Sequence, residues 1–208
     1  MIKYREARMD EIKEISRFTT ETFGDYPFFK YAFKNLDSEE KYIKYMDKLH
    51  YVHMKANMYK YKCFVGTIDG KIVSAALLQN PNVKRVTIFD YIKAGGVGLL
   101  FPVGFKSLIN FFDISEKAHK PCEKYKDTWY IESLAVNKNY KSRGLGSDML
   151  NNCLIPYIKS EGGTKLTLIT NTAQNCKFYE KNGFEMFDKT MLEMNGKQVD
   201  NYCFVRDI

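Results

Sequence analysis

Residues 134–147, Leu-Ala-Val-Asn-Lys-Asn-Tyr-Lys-Ser-Arg-Gly-Leu-Gly-Ser, have the types and spacing to hold a pyrophosphate. They read as an apolar strand end, a basic loop and a glycine pair opening a helix. The first N–H groups of a helix have no acceptor within it, and the helix dipole adds positive charge there, so an anion is welcome. Gly144 and Gly146 let a phosphate approach the backbone, and Lys138, Lys141 and Arg143 surround it with charge. From Met149 onward, Leu150, Cys153, Leu154, Tyr157 and Ile158 recur at helical spacing and supply the helix. Two other phosphate loops are excluded. A Walker loop needs Gly-Lys-Ser/Thr where this chain has Gly146-Ser147-Asp148, and the dinucleotide fingerprint needs a third glycine where Met149 stands.

The remaining pattern resembles the acyl-CoA pyrophosphate loop of the GNAT N-acetyltransferase superfamily, Gln/Arg-x-x-Gly-x-Gly/Ala, with Lys141 as a basic but non-consensus first residue. A second segment, Asn175-Cys-Lys-Phe178-Tyr179-Glu-Lys-Asn-Gly183-Phe184, resembles the family's later Asn-x-x-(aromatic or Leu)-Tyr-Glu-Lys-x-Gly-Phe signature, at the expected distance downstream. By itself it reads as a short helix stopped by Gly183, with Phe184 starting the next strand. The resemblance implies an α/β fold (α+β by some schemes), a mixed central sheet of about six to seven strands with flanking helices; a helical insertion between the third and fourth strands is this chain's main departure from the family's minimal pattern.

Roles follow from the same resemblance. It makes Trp129 to Val136 the catalytic strand and acetyl-CoA the co-substrate. Leu134, Ala135 and Val136 would hold the pantetheine arm by strand-like pairing, a backbone N–H near Leu134 would polarise the thioester carbonyl, and a bulge would splay this strand from Lys165–Thr170. Lys141, Ser142, Arg143, Gly144, Leu145, Gly146 and Ser147 would take the pyrophosphate. Tyr179 matches the tyrosine that hydrogen-bonds or protonates the departing thiolate. Glu132 is the only acid on the catalytic strand, where alternation places Tyr130, Glu132, Leu134 and Val136 on one side; it either accepts the amine's proton or binds a cationic acceptor. Asn175 either hydrogen-bonds the pantetheine or caps the helix it opens. The expected activity is acetyl transfer from acetyl-CoA to a primary amine of a small molecule or peptide, by direct attack in a ternary complex. A non-catalytic acyl-CoA-binding regulatory domain would keep the loop but ignore Tyr179 and Glu132, and a nucleic-acid-binding module is a further alternative.

The elements that must position these residues are legible in outline. Lys3 to Arg8 suits a strand, and Asp10 a cap for a helix carrying Ile12, Ile15, Phe18 and Thr19. The aromatic loop from Phe23 to Phe33, around Pro27, lies where the family places acceptor-binding residues, although each ring is as apt for packing. From Ser38 a longer helix carries Tyr42, Tyr45, Leu49, Val52, Ala56 and Tyr59 as a core stripe. His50 and His53 share that helix without a converging carboxylate or third ligand, and are expected at the surface with no metal. Asp69-Gly70 between two apolar runs marks a hairpin, as does Asn195-Gly196 between 185–194 and 198–205. The insertion, at about 81–127, is expected to form one or two helices, packed rather than dipping into a membrane, and to cover the acceptor site. Pro156 should kink the helix that starts at the glycine pair.

Composition suits one domain, 1–208: 208 residues, 45% hydrophobic and 15% aromatic, can bury a large core. The five cysteines, Cys63, Cys122, Cys153, Cys176 and Cys203, are scattered and odd in number, which argues for reduced thiols in a cytoplasm and against a disulfide framework or zinc site. None matches a nucleophile. Net charge is +7, but basic and acidic residues interleave, so a solvated surface is expected and no nucleic-acid partner. The N-terminus is charged where a signal peptide needs an apolar core, and no run reaches the roughly 20 apolar residues of a membrane span. A monomer or homodimer without membrane partners is the expectation.

Overall fold

Asp69 and Gly70 both adopt positive φ, 50° and 76°, the backbone that a two-residue turn of matching twist requires. They join β2 (Lys62–Ile68) to β3 (Lys71–Gln79), the antiparallel centre of one half of the molecule. The computed structural model describes residues 1–140 and 143–208; Lys141 and Ser142 lie outside the described residues. Around that hairpin, β1 (Lys3–Glu6), β4 (Trp129–Val136), β5 (Lys165–Thr170), β6 (Glu185–Met194) and β7 (Lys197–Asp207) complete a mixed seven-stranded sheet in the order β1-β2-β3-β4-β5-β7-β6. All neighbours are antiparallel except β4 and β5.

Helices cover both faces. On one, α1 (Ile12–Phe23) and α3 (Glu39–Met58) pack Ile15, Phe18 and Met54 against Val65 and Leu77. On the other, α6 (Leu145–Met149), α7 (Ile155–Ser160) and α8 (Ala173–Lys181) bring Leu150, Leu154 and Ile158 onto Leu166 and Phe204. The stripes of α1 and of the helix after Gly146 find a sheet face, whereas that of α3 packs with Phe28, Phe33, Leu99 and Ile114, and its last residue, Tyr59, is exposed. The Asp10 cap does not form: α1 follows a short 3-10 turn, and Glu11 instead accepts from Arg5 Nη1 and Nη2 and from the Arg8 amide. That guanidinium holds the Glu11 carboxyl down at about 2.

Pro156 breaks the helical pattern in an unexpected way. A π turn, Leu150–Leu154, sits between α6 and α7, and the proline occupies the first turn of α7. Widening the turn before a residue that has no N–H relieves the clash that a proline meets in a regular helix interior.

Residues between β3 and β4 form α2's outer partners: α4 (Ile88–Lys93) and the long α5 (Leu100–His119), the latter interrupted at Gly104 (φ 79°, ψ 157°), with α2 (Pro27–Ala32) packing beneath them. Their inner residues Ala94, Leu99, Leu108 and Ile114 are buried with Phe28, Phe33 and Leu49. The outer side departs from the expected packing: Phe101 and Phe105 are 85% and 67% exposed, with Phe89, Val97 and Ile109 also exposed. The helical run Gly96–Tyr125 is long and apolar enough by composition to cross a membrane, contrary to the reading of the sequence, although Gly104 divides it and its inner side belongs to the core.

Candidate active site

The site begins as a fault in the sheet. β4 pairs β3 from Tyr130 to Val136, but the register passes from Leu78↔Ile131 to Leu77↔Ser133, which leaves Glu132 as an extra residue, a β-bulge. The bulge resets the alternation. Ile131 and Leu134 face the α6–α7 core, whereas Tyr130 and Ala135 pack into clusters on the opposite side, so Tyr130, Glu132, Leu134 and Val136 do not share one face as strict alternation would require. On its other edge β4 pairs β5 only from Trp129 to Ile131; beyond that point the two parallel strands part. A fork opens in the sheet at the residues named as catalytic.

A cavity of about 250 Å³ occupies this fork, and Glu132, Leu134, Asn175 and Tyr179 all line it. Tyr179 comes from α8, whose N-cap is Thr172, its Oγ1 accepting from the Asn175 amide. Asn175 is therefore not the cap. Its Nδ2 donates to Thr170 Oγ1 at 2.9 Å, and that hydroxyl also meets Tyr26 Oη at 3.0 Å, while Tyr26 Oη accepts from the Asn171 amide at 2.7 Å. Tyr179 is 7% exposed, held between Phe178, Phe184 and Phe204, and burial pushes its phenol well above the ordinary value. The hydroxyl keeps its proton at neutral pH.

Glu132 is oriented from two sides. Gln79 Nε2 donates to Oε2 at 2.6 Å, and His53 Nε2 lies 3.4 Å from Oε1. His53 Nδ1 meets Tyr91 Oη at 3.0 Å and the donor Asn57 Nδ2 at 3.4 Å, which makes Nδ1 the acceptor and leaves the ring proton on Nε2, facing the carboxylate. Burial lowers the basicity of His53, against the pull of Glu132, so the imidazole is neutral near pH 7. The two histidines expected at the surface are both on the cavity wall, with the convergent carboxylate that the sequence did not reveal. Met46, His50, His53 and Asn57 repeat at intervals of four, three and four, a second stripe beside the apolar one, and that spacing was the available signal. Among the described residues no group of three or more metal-ligating side chains converges.

At the other end of the fork, Gly144 takes φ 80° as the residue before α6, and a side chain there would meet nothing within 4 Å. The amides of Leu145, Gly146 and Ser147 open the helix, with Arg143 exposed beside them and lying over the Tyr140 ring. Gly146 also has a packing role that its spacing did not suggest. It is buried, and a Cβ there would lie 3.0 Å from Phe178 Cζ and 3.6 Å from Val136 Cγ2, so its lack of a side chain seats α6 against α8 and β4. Lys141 and Ser142, expected in the same loop, lie outside the described residues.

A model of the acetyltransferase (GNAT) family matches residues 28–184, about three quarters of the chain. The chain belongs to the GNAT acetyltransferase family. No curated protein sequence matches it. The same fold appears in the ribosomal-protein-S18-alanine N-acetyltransferase from Escherichia coli (TM-score 0.57, 15% identity, 100% of this chain and 94% of that one). It appears also in the Drosophila melanogaster polyamine N-acetyltransferase (0.61, 11%, 100% of both chains). A third is the Corynebacterium glutamicum protein described as histone acetyltransferase HPA2 and related acetyltransferase (0.65, 15%, 97% and 94%). The expected mixed sheet with its helical insertion is thus present, and the chain is an acyltransferase of a family that uses acetyl-CoA.

Proposed function

We propose that this acetyltransferase passes the acetyl group of acetyl-CoA directly to a primary amine held in the fork between β4 and β5. The observation that carries the reading is the meeting of Glu132, Leu134 and Tyr179, from a bulged strand and a separate helix, on one cavity. The pyrophosphate would lie against the amides of Leu145, Gly146 and Ser147 beside Gly144 and Arg143, with Lys141 and Ser142 from the same loop. The pantetheine arm would run along the unpaired edge of β4 at Leu134, Ala135 and Val136, with Asn175 nearby. The amine nitrogen attacks the thioester carbon, forming C–N, while a backbone N–H near Leu134 supports the oxyanion. Collapse breaks C–S; the thiolate takes the Tyr179 proton, and the nitrogen's surplus proton passes to Glu132, which His53 and Gln79 orient. The products are an amide and the free thiol. Five free cysteines are consistent with a cytoplasmic setting, and none lines the cavity.

A purely acyl-CoA-binding domain would have no use for an oriented carboxylate. Glu132→Gln decides between the two: loss of acetyl-amine product in a mass-resolved assay, with acetyl-CoA binding retained, supports catalysis. Undiminished turnover in the variant would remove Glu132 from the chemistry.

A further inference from the structure

Resting on that reaction, the cavity itself restricts the acceptor. Among its described lining residues Glu132 is the only carboxylate. Aromatic rings form much of the wall: Phe29 and Phe111 lie 6.2 Å apart, Phe28 and Phe111 5.8 Å, and Tyr91 and Phe112 5.6 Å. They come from three elements, the aromatic loop with α2, the insertion's α4 and its α5. One anion in an apolar chamber matches one ammonium group. A second cation on the same ligand would be buried without a counter-charge, which proteins avoid by several kcal/mol.

The wall also carries an unanswered polar atom. His50 is 4% exposed, lines the cavity, and its Nε2 has no hydrogen-bond partner. Its Nδ1 lies 2.9 Å from Thr20 Oγ1, and that hydroxyl also lies 3.0 Å from Ser16 O. In the tautomer that carries its proton on Nδ1 and donates it to Thr20, Nε2 is a lone-pair acceptor. His50 and His53 stand three residues apart on α3, which sets their Cβ atoms about 5–6 Å apart. His50 Nε2 and the Glu132 carboxylate therefore belong to the wall of one cavity.

We propose that the acceptor is a compact primary monoamine with an aromatic body, its nitrogen at Glu132, its ring among Phe29, Phe111 and Tyr91, and one hydroxyl or N–H donor directed at His50 Nε2. Diamines, polyamines and aminoglycosides are poor matches for a chamber with a single carboxylate. A peptide would fit only through an aromatic amino-terminal residue.

Thiol release with acetyl-CoA tests this over tyramine, 2-phenylethylamine, putrescine and spermidine. Expected is a kcat/KM for both arylethylamines at least about tenfold above either polyamine, and for tyramine about tenfold above 2-phenylethylamine, the discrimination expected when a buried acceptor is left unmet. In His50→Phe the preference for tyramine should collapse to near parity while 2-phenylethylamine is still acetylated. Faster turnover of putrescine or spermidine overturns the acceptor class and leaves acetyl transfer standing. A tyramine preference that survives in His50→Phe overturns the role of His50. Absence of thiol release with any of the four amines, and with alkyl monoamines of matching size, would sink the acetyl-transfer reading and this inference with it.

Discussion

Tyr179→Phe removes one oxygen from the centre of the fork and little else. The ring keeps its neighbours Phe178, Phe184 and Phe204 at centroid distances of 5.1, 5.5 and 5.8 Å, so thermal unfolding should stay within a degree or two of wild type. Loss of a positioned acid costs about 10²- to 10⁴-fold, or about 3–5 kcal/mol of transition-state stabilisation. The structure places this case at the upper end, because Tyr179 is 7% exposed and bulk water has no easy route to replace its proton. Burial raises the phenol, but it raises the basicity of a thiolate formed in the same dry cavity as well, so the transfer remains matched. Steady-state kinetics with saturating acetyl-CoA should therefore show kcat down about 10³- to 10⁴-fold, with the acetyl-CoA dissociation constant changed by less than about threefold. An unchanged kcat, or a loss confined to KM, would refute the assignment of Tyr179 as the acid.

Other perturbations separate packing from chemistry. Gly146→Ala pushes a methyl to 3.0 Å from Phe178, which should cost about 1–3 kcal/mol in unfolding free energy and weaken acetyl-CoA binding as α6 shifts. Gly144→Ala meets no atom but must hold φ 80°, so denaturant titration should report a smaller loss of about 1–2 kcal/mol. His50 is pulled from 6.5 down to about 3 by burial. Between those values the unfolded chain binds a proton that the folded protein refuses, so stability should fall as pH drops through that window, by about 1 kcal/mol per pH unit from this group. His50→Gln should flatten that slope in urea midpoints measured from pH 6.5 downward; an equally steep decline would contradict the buried, neutral imidazole.

Much of the local structure around the proposed donor site was readable from local pattern. The Gly144 turn, the helix after it and the Phe178-Tyr179 segment each announce themselves within a dozen residues, because helix starts and stops are set by neighbouring residues. The acceptor half was less legible. Glu132 could be named from the strand, but the bulge that aims it depends on which residue of β3 stands opposite, and Gln79 reaches it from 53 positions away. His53, Tyr91 and His50 converge on the cavity only once α3 and the insertion pack together, so two histidines with no converging ligand in the sequence were expected at a surface that tertiary contacts then buried. The packing demand on Gly146 was not legible, since Phe178, its steric partner, lies 32 residues downstream. The insertion shows the reverse case: expected to pack, it leaves the rings of Phe89, Phe101 and Phe105 outside.

The central claim is that the fork between β4 and β5, with the glycine turn at Gly144, is an acyl-CoA site. Calorimetric titration of acetyl-CoA into the wild-type protein measures it directly. Saturable binding of one acetyl-CoA per chain is expected, weakened by salt as befits a pyrophosphate among cationic residues and helix amides. Absence of saturable binding at low salt would contradict it.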